Sequence, residues 1–229
     1  MSEETKKDEK KDNEITDIKD YGTARLSGKH GNIYCLCIIG QIEGHTVLSQ
    51  ETKTTKYEHI IPLLVSVEED ESIDGMLIIL NTVGGDVEAG LAIAELISGM
   101  KKPTVSLVLG GGHSIGVPLA VSSDYSFIAP SASMVVHPVR MSGTIITVPQ
   151  SFDYLLKMQD RILDFIVTHS EIEKEALESL MMTTTNMAND AGTILYGEEA
   201  VREHLIDSVG TVADALDHLK KLIDKCKKI

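Results

Sequence analysis

The chain is poor in cysteine and in aromatic side chains. Its 229 residues include 3 cysteines, 3 phenylalanines, 6 tyrosines and no tryptophan. Cys35 and Cys37 alternate within an apolar run, as the residues of a strand do, and Cys226 lies among C-terminal lysines. Three thiols in this pattern are too few for a structural zinc site, which takes four ligands. We therefore expect no bound metal ion.

Basic residues are scarce as well. The 21 lysines and arginines are outnumbered by 35 aspartates and glutamates, which gives a formal net charge of -14. A surface of this charge repels phosphate backbones, so no nucleic-acid partner is expected. Long apolar runs of the kind that cross a membrane are missing, and the first seven residues lack the apolar core of a secretory signal. These absences favour a soluble, cytoplasmic protein.

The composition divides the chain into two predicted regions. Residues 1–21 consist almost entirely of charged, amide and hydroxyl side chains, with too little apolar surface to offset the entropy of ordering. We predict that they form a disordered charged tail. Over the whole chain 42% of the residues are apolar, which is enough for a substantial core. Residues 22–229 are therefore predicted to form one folded domain.

Strand and helix patterns alternate along the second region. The predicted strands cover residues 33–39, 76–80, 104–109, 125–128 and 134–136. The first predicted helices cover residues 55–68, a segment from a cap at Asp86 to a stop at Lys101, and a segment from Ser114 onward. The later ones cover residues 149–168, a segment from a capping box at Ser170–Glu173 to Met182, and residues 198–204 and 211–221. This alternation is typical of an α/β protein in which helices cover a parallel or mixed sheet.

Two glycine-rich stretches follow predicted strands and open predicted helices. They are Gly84-Gly85 and the run Gly110-Gly111-Gly112. Turns in this position can bind an anion with unpaired N–H groups and the positive end of a helix, although either turn alone could also be a simple packing turn. Neither stretch has the spacing of a dinucleotide fingerprint or the Lys-Ser or Lys-Thr pair of a P-loop. Nucleotides are therefore excluded, and no cofactor is expected.

A serine follows the second glycine run, and a histidine stands 23 residues further on. A serine hydroxyl becomes a nucleophile when a neighbouring base takes its proton, and glycines leave room for a carbonyl group to approach. We predict that Ser114 is the nucleophile and that His137, at the end of a strand, is the base. The N–H groups of Ile115 and of Gly84-Gly85 are predicted to hold an oxyanion. His113 is expected to point away from the cleft.

The sequence Gly112-His113-Ser114-Ile115-Gly116 also fits the G-x-S-x-G pattern of α/β-hydrolases. An esterase of that type would use a later acid and histidine, for which Asp190 and His218 are candidates. This alternative is weaker, because it leaves His137 and Gly84-Gly85 without a role.

Five motifs together resemble the Clp-protease-like serine peptidases, in order and spacing, from about residue 33 to 218. They are Gly40-Gln41-Ile42-Glu43, Leu80-Asn81-Thr82-Val83-Gly84-Gly85-Asp86-Val87, Gly112-His113-Ser114-Ile115-Gly116, Met134-Val135-Val136-His137-Pro138, and Gly197-Glu198-Glu199-Ala200 with Leu205-Ile206-Asp207. The resemblance implies the repeated ββα units shared with crotonases, Ser114 as nucleophile, His137 as base, and the Gly85 and Ile115 amides as the oxyanion hole. It also implies rings around a chamber, with residues 149–168 as a handle helix that joins facing rings and 143–148 as the adjoining strand.

Departures from the family pattern concern the third catalytic residue and two loops. In the family an aspartate orients the histidine, and here that position aligns with Ala188. If the alignment of residues 183–192 is shifted, Asp190, Asn186 or Asn189 could take the place of that aspartate. Loss of the correct orienting acid can lower the rate about 10,000-fold. Pro138 follows the histidine directly, which changes the shape of that loop. The charged tail replaces the family's axial loops that contact an unfoldase, so no ATPase partner is inferred.

The function predicted from these features is that of a serine peptidase that cuts small or unfolded peptides without ATP. The resemblance implies that signal peptides are one candidate substrate and that the export machinery is a candidate partner. A ring-forming scaffold that binds export substrates without cutting them is the alternative, and Ala188 is the residue that favours it.

Overall fold

The computed structural model describes residues 23–140, 147–185 and 191–228. The predicted tail lies outside these residues. The strands are β1 (Thr23–Gly28), β2 (Gly31–Glu43), β3 (Thr54–Lys56), β4 (Gly75–Gly85), β5 (Thr104–His113), β6 (Tyr125–Ile128), β7 (Ser133–Val136), β8 (Thr193–Tyr196) and β9 (Ser208–Val209). The helices are α1 (Tyr57–Glu69), α2 (Val87–Ser98), α3 (Gly116–Val121), α4 (Val148–Thr168), α5 (Lys174–Met182), α6 (Gly197–Arg202) and α7 (Val212–Cys226).

The strands form one mixed sheet, in agreement with the predicted α/β class. Its main order is β1-β2-β4-β5-β6-β9, with β3 beside β2. The central pairs β2–β4, β4–β5 and β5–β6 are parallel, and β1 runs antiparallel to β2. Past the end of β6, the last residues of β5 pair instead with β7, which in turn pairs antiparallel with β8. This change of neighbour brings β7 to the carboxyl end of β5.

Alternate residues of the central strands enter two separate cores. On β4, Leu77 packs under α7, whereas Met76, Ile78 and Leu80 face the core that contains α1 to α4. Each of these four side chains is at most 1% exposed. Burying a side chain of this size contributes about 1.5–3 kcal/mol, so the two cores hold the sheet between its helical layers. None of the helices in the described ranges is both long and apolar enough to span a bilayer.

The predicted strand at residues 125–128 coincides with β6, and the other four predicted strands are correct in position but too short. Gly84-Gly85 and Gly110-Gly111-Gly112, expected as turns, are the last residues of β4 and near the end of β5. These glycines extend the strands because adjacent strands still pair with them. Gly84 pairs with Gln41 of β2, and Gly111 pairs with Ser133 of β7. Strand β2 likewise runs through Gly40, where the pairing register shifts by one residue.

The helix caps were predicted with mixed success. Asp86 caps α2 as expected, since its carboxylate accepts a hydrogen bond from the N–H of Ala89 at 2.9 Å. That helix ends at Ser98 rather than at the lysines. The capping box at Ser170 is wrong, because the Ser170 hydroxyl donates to the carbonyl of Ile166 at the end of α4, and α5 begins only at Lys174.

Candidate active site

The parallel pairing of β5 with β7 brings the predicted nucleophile and the predicted base to the same edge of the sheet. In this short ladder His113 lies opposite Val135, and the N–H of Ser114 donates to the Val135 carbonyl at 2.8 Å. Ser114 thus follows the last paired residue of one strand, while His137 follows the end of the other. Residues 23 positions apart in the chain become neighbours at one edge of the sheet.

Ser114 and His137 line the same cavity, which has a volume of about 130 Å³. Gly85 and Ile115, the two residues expected to supply oxyanion donors, line it as well. Its remaining walls are mostly apolar and come from α2, α3, α4, α5 and the loop after β7. The apolar side chains that line it are Val87, Val117, Val139, Ile162, Ile166 and Met181, together with Pro138 and the last residue of β7, Val136.

The backbone of Ser114 has an unusual conformation for a residue with a side chain. Its φ angle is +58°, in the left-handed region. Gly84, with φ +88°, makes room beside it, because a Cβ atom at position 84 would lie 2.6 Å from the Ser114 Cβ. A non-glycine residue in such a conformation costs on the order of 1–3 kcal/mol and persists only when its surroundings enforce it. The sharp bend at Ser114 is therefore imposed by the β7 pairing and by the glycine that faces it.

Ile115 lies between Ser114 and the first residue of α3. It is the N-cap of that helix, so its N–H belongs to the group of amides that have no partner within the helix. Its buried side chain packs against α2, where a Cβ on Gly90 would overlap the Ile115 Cγ1. Gly85 lies opposite Ile42 at the end of β4, and a Cβ there would overlap the Ile42 carbonyl. Both predicted oxyanion residues are thus fixed by close packing.

The two histidines beside Ser114 have different surroundings. The Nδ1 atom of His137 lies 2.7 Å from the carbonyl oxygen of Pro138. His113 points to the other side, where its Nε2 atom lies 3.1 Å from the Ser133 hydroxyl. Burial lowers the pKa of His113, and the nearby His137 lowers it further, so His113 stays neutral near pH 7. Its orientation agrees with the prediction that His113 does not face the cleft.

Of the two other candidate residues, one lies outside the described residues and one lies on another face of the sheet. Asp190 lies outside the described residues, as do Asn186, Asn189 and Ala188, so the third catalytic residue stays a prediction. His218 lies on α7, where it stacks on Tyr125 with ring centroids 3.9 Å apart, and α7 covers the sheet face opposite α3. The α/β-hydrolase alternative, which needs His218 beside Ser114, is therefore wrong.

The chain is similar to known proteins over most of its length. A family model described as Clp protease matches residues 32–213. The chain belongs to the Clp protease family. It is 56% identical over 197 residues to the translocation-enhancing protein TepA of Halalkalibacterium halodurans, a match that covers 86% of this chain and 77% of that protein. It is also 26% identical over 129 residues to ATP-dependent Clp protease proteolytic subunit 1 of Chlamydia muridarum, covering 52% of this chain and 67% of that protein.

Membership of the Clp protease family confirms the resemblance inferred from the five motifs. Members of the family form oligomeric rings. Sequence reasoning missed how much of the cavity wall comes from α4 and α5. Ile162 and Ile166 belong to the helix predicted over residues 149–168, but the sequence does not indicate which side of that helix faces Ser114. Only the packing of α4 against the α2–α3 layer shows this.

The left-handed conformation of Ser114 predicts an effect on stability that does not depend on activity. We expect the Ser114→Gly protein to be more stable than the Ser114→Ala protein by about 1 kcal/mol, because glycine adopts a positive φ without the Cβ clash. Chemical denaturation of the two variants measures the difference.

A pair of substitutions at Ser98, the last residue of α2, is the control. There the order should reverse, since alanine is favoured over glycine in a helix. Equal stability of the two Ser114 variants would contradict the strained conformation.

Proposed function

We propose that the chain is a serine peptidase that cleaves small or unfolded peptides without an ATPase partner. The observation that carries this proposal is the shared cavity of Ser114 and His137, with Gly85 and Ile115 in its wall. The three cysteines of the chain are all free thiols. Because free thiols are typical of a reducing compartment, we propose that the activity is cytoplasmic.

In the proposed mechanism, His137 takes the proton of the Ser114 hydroxyl as the oxygen attacks the carbonyl carbon of the scissile peptide bond. The Gly85 and Ile115 N–H groups donate hydrogen bonds to the oxyanion of the tetrahedral intermediate. His137 then gives its proton to the leaving amine, and a water molecule, activated by the same histidine, releases the acyl group from Ser114. Asp190 is the proposed third residue, a carboxylate that stabilises the protonated ring of His137, with Asn186 and Asn189 as the other candidates.

The lining of the cavity supports a preference for aliphatic side chains in the substrate. The cavity of about 130 Å³ is close in size to an engineered apolar cavity of about 150 Å³ that binds benzene. Arg140 lies at the wall, but Val87, Val117 and Ile162 make most of it apolar. A single leucine-sized side chain next to the scissile bond fits this space, and its burial would hold the carbonyl beside Ser114.

If Ser114 is the nucleophile, a fluorophosphonate probe should label the wild-type protein, and Ser114→Ala should reduce labelling to background. His137→Gln should slow the reaction strongly, because no base is left to take the proton. Mass spectrometry of the labelled peptide identifies the modified residue.

Ser133 provides a matched control, since it also lies beside a histidine. The Ser133→Ala protein should label like wild type. Folded wild-type protein that never reacts, or labelling that survives Ser114→Ala, would overturn the peptidase proposal.

The chain is also proposed to act in protein translocation, because the similar protein from H. halodurans is named for enhancing it. That name does not mention peptide cleavage, which favours a scaffold that binds export substrates as the second candidate. Signal peptides are the substrates proposed for the peptidase. Secretion measured in cells that carry wild-type or Ser114→Ala protein distinguishes the two candidates. Loss of secretion in the variant supports the peptidase, and equal secretion supports the scaffold.

The exposed half of α4 supports assembly into stacked rings. All the buried residues of this helix lie from Met158 onward. The preceding part carries large apolar side chains that face solvent, with Phe152 60%, Tyr154 53% and Leu156 44% exposed. Exposed apolar groups of this size, close together on one helix, are typical of an interface. We propose that this part of α4 is the handle through which two rings meet.

Replacing Phe152 and Leu156 together with serine should separate the rings, because the proposed interface loses two of its large apolar groups. We expect the mass of the assembly to fall by half in analytical ultracentrifugation. Lys157→Ser, an exposed polar position on the same helix, is the control and should keep the wild-type mass. An unchanged mass in the double variant would contradict the handle.

A further inference from the structure

The contact between His137 and Pro138 determines which ring nitrogen carries the proton. A carbonyl oxygen can only accept a hydrogen bond, so at 2.7 Å from the Pro138 oxygen the Nδ1 atom of His137 must be the donor. In the neutral imidazole the other nitrogen, Nε2, is then unprotonated. This is the tautomer that a general base needs in order to take a proton from a serine hydroxyl.

The peptide group that supplies this carbonyl is also held on its other side. The N–H of Val139 belongs to the same planar unit as the Pro138 carbonyl, and it donates to Oε1 of Gln159 at 3.3 Å. Because the unit is planar, a partner that holds the N–H also sets the direction of the carbonyl. The proline ring limits the unit further by fixing φ at position 138.

Gln159 is well placed to act as such an anchor. It is a half-buried residue of α4, next to the buried Met158. Two residues further on, Arg161 donates to both carboxylate oxygens of Glu88 in the first turn of α2, at 2.7 and 3.1 Å. The same stretch of α4 sends Ile162 into the cavity wall. The stretch of α4 that carries Gln159 is therefore fixed against α2 and against the cavity wall.

We propose that Gln159 is a positioning residue for the general base. Through the Pro138–Val139 peptide group, it holds His137 in the tautomer that leaves Nε2 ready to accept the Ser114 proton. The inference rests on the proposed roles of Ser114 and His137. In this arrangement the Pro138 carbonyl orients the His137 ring, and Gln159 of α4 fixes the direction of that carbonyl. A carbonyl lacks the full charge of a carboxylate, so it sets the tautomer but stabilises the protonated ring less strongly.

Magic-angle-spinning NMR of protein labelled with ¹⁵N-histidine measures the tautomer directly. The signals of His137 are identified by their absence from the spectrum of the His137→Gln protein. In wild type we expect Nδ1 to have the shift of a protonated nitrogen and Nε2 that of an unprotonated one. A wild-type Nε2–H tautomer would overturn the proposal without any substitution at Gln159.

Substitutions at Gln159 test whether this residue is the anchor. Gln159→Met removes the acceptor at similar side-chain length, and the Nε2–H tautomer should become populated. Fluorophosphonate labelling of Ser114 should slow by between about 10-fold and the roughly 10,000-fold cost of a wrong tautomer in a serine protease. Gln159→Glu keeps an acceptor oxygen and should stay close to the wild-type tautomer and rate.

Two further variants separate this proposal from its alternatives. Gln150→Met makes the same chemical change at an exposed position in the first turn of α4 and should alter neither measurement. Asp190→Ala should leave the tautomer as in wild type. If the tautomer changes in Asp190→Ala but not in Gln159→Met, the anchor is the carboxylate and the proposal is wrong. If wild type never labels, the proposed peptidase fails, while the tautomer still decides the role of Gln159.

Discussion

The short parallel ladder between β5 and β7 is the constraint on which the candidate site depends. It joins only three residue pairs, ending at His113 and Val135, and is continued by the hydrogen bond from the Ser114 N–H to the Val135 carbonyl. Side chains alternate between the faces of a strand, so a slip of one residue in this ladder would turn His137 away from Ser114. The cavity, the juxtaposition of Ser114 and His137, and the contact from α4 to the loop after β7 all require the same register.

Small residues make that register compatible with the bend at Ser114. Gly84 faces the serine, and at Gly116 a Cβ atom would lie 2.7 Å from Cγ2 of Thr82. The Thr82 hydroxyl in turn donates to the Gly40 carbonyl at 2.6 Å and accepts a hydrogen bond from the Gly84 N–H at 3.0 Å. Strands β2 and β4 are thus tied together beneath the serine, and the first turn of α3 packs against them. The strain of its left-handed backbone is offset by packing and hydrogen bonds that a bulkier residue at 84 or 116 would break.

Much of this could be predicted from the sequence, because apolar runs and caps are local signals. The central strands, the Asp86 cap and the long helix α4 are where their patterns indicate, and the glycine–serine and histidine motifs mark Ser114 and His137. The ends of β4 and β5 were missed, because pairing with distant residues, rather than local propensity, extends a strand across glycines. The contact of Gln159 with Val139 has no sequence signal, since it depends on how α4 crosses the loop after β7.

The central claim is that Ser114 and His137 act together on one peptide carbonyl. A crystal structure of the protein treated with a peptide chloromethyl ketone that carries a leucine side chain next to the reactive group tests it most directly. The account predicts a bond from the Ser114 oxygen to the former carbonyl carbon and a second bond from Nε2 of His137 to the methylene carbon. The leucine should occupy the apolar cavity, and the oxyanion should accept hydrogen bonds from the Gly85 and Ile115 amides. Attachment through Nδ1 of His137, or through a residue outside this cavity, would contradict the account.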